Sequence, residues 1–101
     1  MSWADVVMFA DPMIDLRADP RRAAALAGEL RREIGRKHPL VGARWTVVAE
    51  AASQDEVLAV AGDQVVLVHL TWSGKKESPP WPQSVALPDH EALLQLIADR
   101  Y

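Results

Sequence analysis

His69 is the residue whose type and position best suit catalysis. It lies in an apolar run, residues 65–70, whose length and composition predict a strand buried on both faces. A histidine in such a strand can act as a general base, and Glu50 is a candidate carboxylate partner. The alternative is a structural histidine, because buried polar groups usually bond to the backbone or to an acid. No serine or cysteine nucleophile pattern accompanies His69, so the sequence favours the structural interpretation.

The sequence lacks the usual metal-ligand and phosphate-binding patterns. Its three histidines, His38, His69 and His90, have no close spacing such as i, i+4, so we predict no metal site. The absence of cysteine excludes disulfides, thiolate chemistry and zinc–cysteine sites. The five glycines are scattered and form neither GxGxxG nor GxxxxGK[ST], so we predict no cofactor.

A proline-rich aromatic segment follows the predicted strand and is the strongest candidate for a binding site. Trp72 and Trp81 lie nine positions apart, with Lys75, Lys76 and Glu77 between them. Tryptophan is enriched at binding hot spots, and the three prolines around Trp81 restrict the backbone, which reduces the entropy lost on binding. We expect the Trp81 ring to fold back over the sheet while the segment displays Lys75, Lys76 and Glu77 to a partner.

Two helices are predicted with clear boundaries. Asp19 is a good N-cap and Pro20 suits the first helical position, and an apolar stripe then extends to residue 34. Gly35 is the expected terminator, in a left-handed conformation. A last helix opens after residues 88–89, with one apolar side formed by Leu93, Leu94, Ile97 and Tyr101. A short helical segment within residues 3–10 is also predicted, although residues 6–9 are compatible with a strand.

Strand patterns occupy the middle of the chain. Residues 44–51 alternate, so that Trp45, Val47, Ala49 and Ala51 are expected to share a face. Further strands are predicted at 56–61, at 65–72 and, more briefly, at 84–87. Together these patterns predict a single α+β domain over residues 1–101. It contains a three- to four-stranded antiparallel meander, with an N-terminal helical segment and a C-terminal helix packed on the sheet. We expect both long helices to cover the same sheet face.

The net charge of −3 is unevenly distributed. Residues 31–44 contain five basic residues and one acidic residue, whereas residues 45–101 contain three basic and eight acidic residues. The negative charge of residues 45–101 disfavours broad nucleic-acid binding and suits a basic protein partner. The N-terminus lacks the basic region of a secretory signal, and no apolar run approaches the ~20 residues needed to cross a bilayer. We therefore expect a cytoplasmic protein with no membrane association.

Two resemblances bear on function. VHLTWSG at residues 68–74 and PPWP at 79–82, with KHPLVG at 37–42 and DEVL at 55–58, resemble a pattern in small bacterial proteins of unknown function. The resemblance to that group implies no activity and no functional residues for this chain. The general build, a small acidic α+β protein without catalytic motifs, is similar to the immunity proteins of bacterial toxin systems.

Three hypotheses follow from the sequence. The first is a non-catalytic protein-binding module, in its most concrete form an immunity-type inhibitor of a bacterial toxin, which binds through Trp72, Lys75, Lys76, Glu77 and Trp81. The second is a small enzyme that uses His69 with a carboxylate such as Glu50. The third is a self-associating module, such as a homodimer, that pairs through an exposed sheet edge or face.

Overall fold

Five antiparallel strands, joined in chain order, form the central sheet. The computed structural model describes residues 2–100 of the chain. Its strands are β1 (Ile14–Asp15), β2 (Thr46–Ala51), β3 (Glu56–Ala61), β4 (Gln64–His69) and β5 (Gln83–Ala86). Helix α1 (Pro20–Glu33) connects β1 to β2, and helix α2 (His90–Arg100) follows β5. The predicted α+β class with an antiparallel sheet is confirmed, with one strand more than the expected upper number of four.

Helix α1 begins where the sequence predicts but ends differently. The Asp19 side chain accepts a hydrogen bond from the backbone N–H of Arg22 at 3.2 Å, as an N-cap residue should. The helix ends at Glu33, and Ile34 is already extended. Gly35 does not have a positive φ, so its predicted role as a left-handed terminator is wrong. A Cβ atom at Gly35 would lie 2.9 Å from the Glu77 carbonyl oxygen, so glycine is required for close approach of the two chain segments.

A β-bulge in β2 divides the residues that were expected to share a face. The register with β3 shifts between Val47 and Ala49, which leaves Val48 as the extra residue. Val47 therefore packs in the apolar cluster beneath α1, whereas Ala49 and Ala51 belong to the cluster beneath α2. The prediction of one common face is wrong because an extra residue reverses a period of two.

The two long helices cover opposite faces of the sheet. On one face, Leu26 and Leu30 of α1 pack against Val57 and Val68, and on the other face Leu93 of α2 packs in a separate cluster. The expectation that both helices lie on the same face is therefore wrong. The sheet can support two helices because residues 65–68 of β4 are all buried, as predicted for a strand covered on both sides.

The N-terminal segment is only partly helical, whereas α2 extends to residue 100. Near the N-terminus a 3-10 helix, Trp3–Asp5, replaces the longer predicted helix. The Trp3 indole donates to the Leu87 carbonyl oxygen at 2.9 Å and its ring stacks on His90, which joins the N-terminal segment to α2. On α2, Leu94 is 47% exposed and does not belong to the apolar side predicted for it. Tyr101, the last member of that predicted stripe, lies outside the described residues.

Candidate functional site

The segment that follows β4 is held against α1 by two glutamates. The Glu33 carboxylate accepts hydrogen bonds from the backbone N–H groups of Thr71 and Trp72, both at 2.9 Å. Glu29, one helical turn earlier, accepts from the N–H of Gly74 at 3.0 Å. Both glutamates are buried, so these bonds form away from water. We call residues 71–77 the strapped loop, because its backbone is fastened to α1 by side chains of that helix.

The two glutamates that hold the strapped loop differ in their affinity for protons. Burial, the larger cause, and a hydrogen bond with the Glu29 carboxyl together raise the pKa of Glu33 from 4.5 to about 7. The same hydrogen bond is the main reason that the pKa of Glu29 is lowered. The two neighbouring carboxyls therefore ionise in sequence, Glu29 at lower pH than Glu33.

Lys76 and Glu77, both predicted binding residues, also stabilise the strapped loop. The Lys76 ammonium donates to the carbonyl oxygens of Arg31, at 3.3 Å, and Ile34, at 3.0 Å, near the end of α1. Glu77 donates its N–H to the Glu33 carbonyl oxygen at 2.9 Å and accepts from the Thr71 hydroxyl at 3.3 Å. Of the three predicted charged residues, Lys76 is the one whose side chain bonds to the end of α1 among the contacts of residues 2–100, whereas the Glu77 side chain bonds within the loop.

Trp72 and Trp81 are both substantially exposed. Trp72 is 46% exposed and has a φ of +60°, a conformation that costs a residue other than glycine about 1 kcal/mol. Its N–H bond to Glu33 and an indole bond to the Asp55 carboxylate, at 3.2 Å, hold it there. Trp81 is 44% exposed, so the expectation that its ring folds back over the sheet is wrong.

His38 fixes the backbone directly after Trp81. It is buried, its Nε2 donates to the Pro82 carbonyl oxygen at 2.7 Å, and its Nδ1 accepts from the Leu40 N–H at 3.0 Å. With Nε2 as the donor and Nδ1 as the acceptor, the ring satisfies both contacts. The exposed Trp81 is therefore adjacent to a backbone position that a buried side chain holds.

His69 does not meet Glu50, so the predicted catalytic pair is absent. Glu50 lies on the α1 face of β2 and forms an ion pair with Arg22 at 2.8 Å. The cross-strand partner of His69 is Glu56, which points to the α2 face and pairs with Arg100. The one-residue bulge in β2 is the reason that His69 and Glu50 lie on opposite faces.

His69 does line a small polar depression of about 290 Å³. Its other polar lining residues are Gln54, Glu56, Gln83 and Arg100, and none of its described lining residues carries a hydroxyl or thiol nucleophile. The depression therefore lacks the group that a histidine base would activate in covalent catalysis.

Sequence analysis did not single out Glu29 and Glu33. Their spacing contained the signal. Leu26, Glu29, Leu30 and Glu33 occur at i, i+3, i+4 and i+7, which places two acids on the buried side of the helix. An acid at such a position is expected to have a partner, and here the partners are backbone N–H groups of the strapped loop.

Within residues 2–100, no group of three or more histidine, aspartate or glutamate side chains is placed to hold a metal ion. In the same part of the chain, no helix has both the length and the apolar character required to cross a bilayer. Comparison with known proteins gives no significant match to a family model, a curated protein or a solved structure.

Proposed function

We propose that this chain is a cytoplasmic, non-catalytic protein-binding module, and that its concrete role is that of an immunity-type inhibitor of a bacterial toxin. One observation carries the proposal. Two half-exposed tryptophans, Trp72 and Trp81, stand on backbone that buried side chains hold in place. Trp72, Lys75, Lys76, Glu77 and Trp81 remain the proposed contact residues.

The strapped loop supports this function because it is preorganised. Association loses free energy when loops and side chains become ordered, and a loop that is already fixed loses less. The side chains of Glu29, Glu33 and Lys76 form five hydrogen bonds that join the loop to α1 and its C-cap residue Ile34. An exposed tryptophan on such a frame offers a large rigid contact area, which is typical of hot-spot residues.

The proposal is tested with the product of a toxin-like gene that neighbours the gene for this chain. Trp81→Ala and Trp72→Ala are each expected to weaken binding to that product at least tenfold, measured by isothermal titration calorimetry. Leu94→Ala is the matched control, because Leu94 is equally exposed but lies on α2. Its affinity is expected to equal that of the wild type.

Two results contradict the proposal. If folded Trp72→Ala and Trp81→Ala variants bind with unchanged affinity, the contact surface is not the one described. If the wild-type chain neither binds the toxin-like product nor protects cells that express it, the immunity role is wrong.

A further inference from the structure

Three neighbouring depressions lie beside the strapped loop and the segment that follows it. A depression between α1 and residues 74–76 shares Lys76 with a second depression between residues 34–37 and residues 76–79. The second depression shares Pro79 with a third, which reaches β5 at residues 83–85. The first two depressions therefore flank the Lys76 side chain on one surface of the molecule.

The first two depressions are strongly basic. Their cationic lining residues come from two distant parts of the sequence and are Arg31, Arg32, Arg36, Lys37, Lys75 and Lys76. The basic sequence segment 31–44 and the lysines of the strapped loop therefore converge on one surface of a chain whose net charge is −3. We call this surface the basic furrow. The positive charge of the basic furrow is opposite in sign to the net negative charge of residues 45–101, which suggested an acidic contact surface.

One buried acid pairs with a cation of the basic furrow. Glu29 lies beneath the strapped loop and accepts from the Arg32 guanidinium at 3.1 Å as well as from the Gly74 N–H. Glu33 is also buried there and accepts from loop N–H groups. Glu77 is the acidic side chain among the described lining residues of the basic furrow. Its other arginines and lysines form no ion pair within residues 2–100, so the surface keeps a net positive charge.

Shape and chemistry favour a polypeptide over a nucleic acid as the occupant. The furrow contains apolar surface from Val41, which is 49% exposed, and from Pro79. The Glu77 carboxylate can accept a hydrogen bond from a peptide N–H, and a phosphate backbone carries no such donor. A surface with both apolar and cationic residues suits an extended chain whose side chains alternate.

We propose that the basic furrow binds an extended acidic segment of the partner protein, in which carboxylates alternate with apolar residues. This inference rests on the proposed function and specifies the chemistry of the partner. The carboxylates pair with Arg36, Lys37 and Lys75, and the apolar residues contact Val41 and Pro79. An extended strand rises about 3.3 Å per residue, so about ten residues span the longest dimension of the molecule, 32 Å.

The experiment uses the full chain and a fluorescein-labelled peptide of about ten residues in which glutamate and valine alternate. Fluorescence anisotropy at low ionic strength is expected to detect binding, and binding is expected to weaken as salt is added. A peptide with glutamine in place of glutamate is expected to bind at least about tenfold more weakly. Equal binding of the two peptides would overturn the inference, and so would the absence of binding by the glutamate peptide.

Charge reversal locates the site. Lys75→Glu and Arg36→Glu are each expected to weaken binding of the glutamate peptide about tenfold. Arg21→Glu is the matched control, because Arg21 is exposed in the first turn of α1 and its reversal changes the net charge equally. An equal loss in the Arg21→Glu variant would overturn the inference, because it would show non-specific attraction.

A thymidine oligonucleotide of similar length tests the competing class of partner. Weaker binding of the oligonucleotide than of the glutamate peptide supports the inference, and tighter binding that Lys75→Glu abolishes overturns it. Failure of the acidic-segment inference can be distinguished from failure of the protein-binding function. If the tryptophan variants lose the toxin-like partner but Lys75→Glu and Arg36→Glu do not, the protein-binding function stands and the acidic-segment inference is wrong.

Discussion

Glu33 couples the protonation of one side chain to the position of the strapped loop. Its carboxyl is fully buried, contacts Glu29 and accepts hydrogen bonds from two backbone N–H groups. Burial favours the neutral acid, whereas the N–H donors favour the carboxylate, and burial is the larger effect because the pKa is raised to about 7.

The raised pKa of Glu33 predicts a loss of stability as the pH rises. The ordinary pKa of 4.5 describes the unfolded chain, so between 4.5 and about 7 the folded state binds more protons than the unfolded state. The stabilising contribution of the Glu33 proton is complete below the pKa of the unfolded chain, 4.5. It is lost as the pH rises through the pKa of the folded chain, about 7. We expect the free energy of unfolding to fall on the order of 2 kcal/mol between about pH 5 and pH 8, measured by urea denaturation.

Glu33→Gln is the control for this pH dependence. The amide keeps an acceptor for the strapped loop but cannot titrate, so we expect most of the decline above pH 5 to disappear. A Glu33→Gln variant with the same decline as the wild type would show that other groups cause it. Below pH 5 the trend is expected to reverse, because the pKa values of Glu29 and Asp15 are lowered and their contributions are lost as the pH falls.

At the residue scale, the sequence identified the side chains of the binding segment but not how they are held or exposed. Trp72 stood out because of its type and Trp81 also because of its proline neighbours, but the exposure of the Trp81 ring was not predicted. The partners of Glu33 were not predictable, because they are N–H groups 38 and 39 residues away along the chain. Contacts at such separations depend on the tertiary arrangement, which local patterns do not encode.

At the scale of elements, the packing of α1 against the strapped loop depends on a glycine. Gly35→Ala would place a Cβ atom 2.9 Å from the Glu77 carbonyl oxygen, a backbone atom that cannot easily move, since the N–H of Glu77 bonds to Glu33. We expect Gly35→Ala to reduce the free energy of unfolding by about 2 kcal/mol. Hydrogen exchange of the Thr71, Trp72 and Gly74 N–H groups should become faster in this variant.

Gly28→Ala, within α1 itself, is the matched comparison. A Cβ atom there would have its nearest neighbour at 3.6 Å, an ordinary contact with the Arg32 guanidinium. Because alanine favours the helix more than glycine, we expect Gly28→Ala to increase the free energy of unfolding by about 1 kcal/mol. If Gly35→Ala were as stabilising as Gly28→Ala, the close approach of α1 and the strapped loop would be disproved.

Most elements were predictable from the sequence, because each depends on a local signal. The N-cap at Asp19 and the apolar period of α1 define that helix, and apolar runs define β3 and β4. Three features lack a local signal. The two residues of β1 are too few to show a period, the bulge at Val48 has no signature residue, and β4 ends at His69 where Glu33 binds the following N–H groups.

At the scale of the whole molecule, one sheet carries two apolar clusters on opposite faces. The cluster beneath α1 includes Leu26 and Leu30, and the cluster beneath α2 includes Leu58 and Leu93. Strands β3 and β4 contribute alternate residues to both clusters, so loss of either helix exposes apolar surface of the same strands. The strapped loop lies on the α1 side, whereas the His69 depression lies on the α2 side.

Because the two clusters share the sheet, we expect a substitution beneath α2 to affect the proposed binding surface only through global unfolding. Leu93→Ala removes a side chain that is 1% exposed, so we expect a loss of about 3 kcal/mol in the free energy of unfolding. Leu94→Ala, at a neighbouring position that is 47% exposed, should change it by less than about 0.5 kcal/mol. Because both clusters share β3 and β4, tryptophan fluorescence and far-ultraviolet circular dichroism should report one coincident transition for Leu93→Ala. Two separate transitions would show instead that α2 and its face of the sheet unfold independently of the strapped loop.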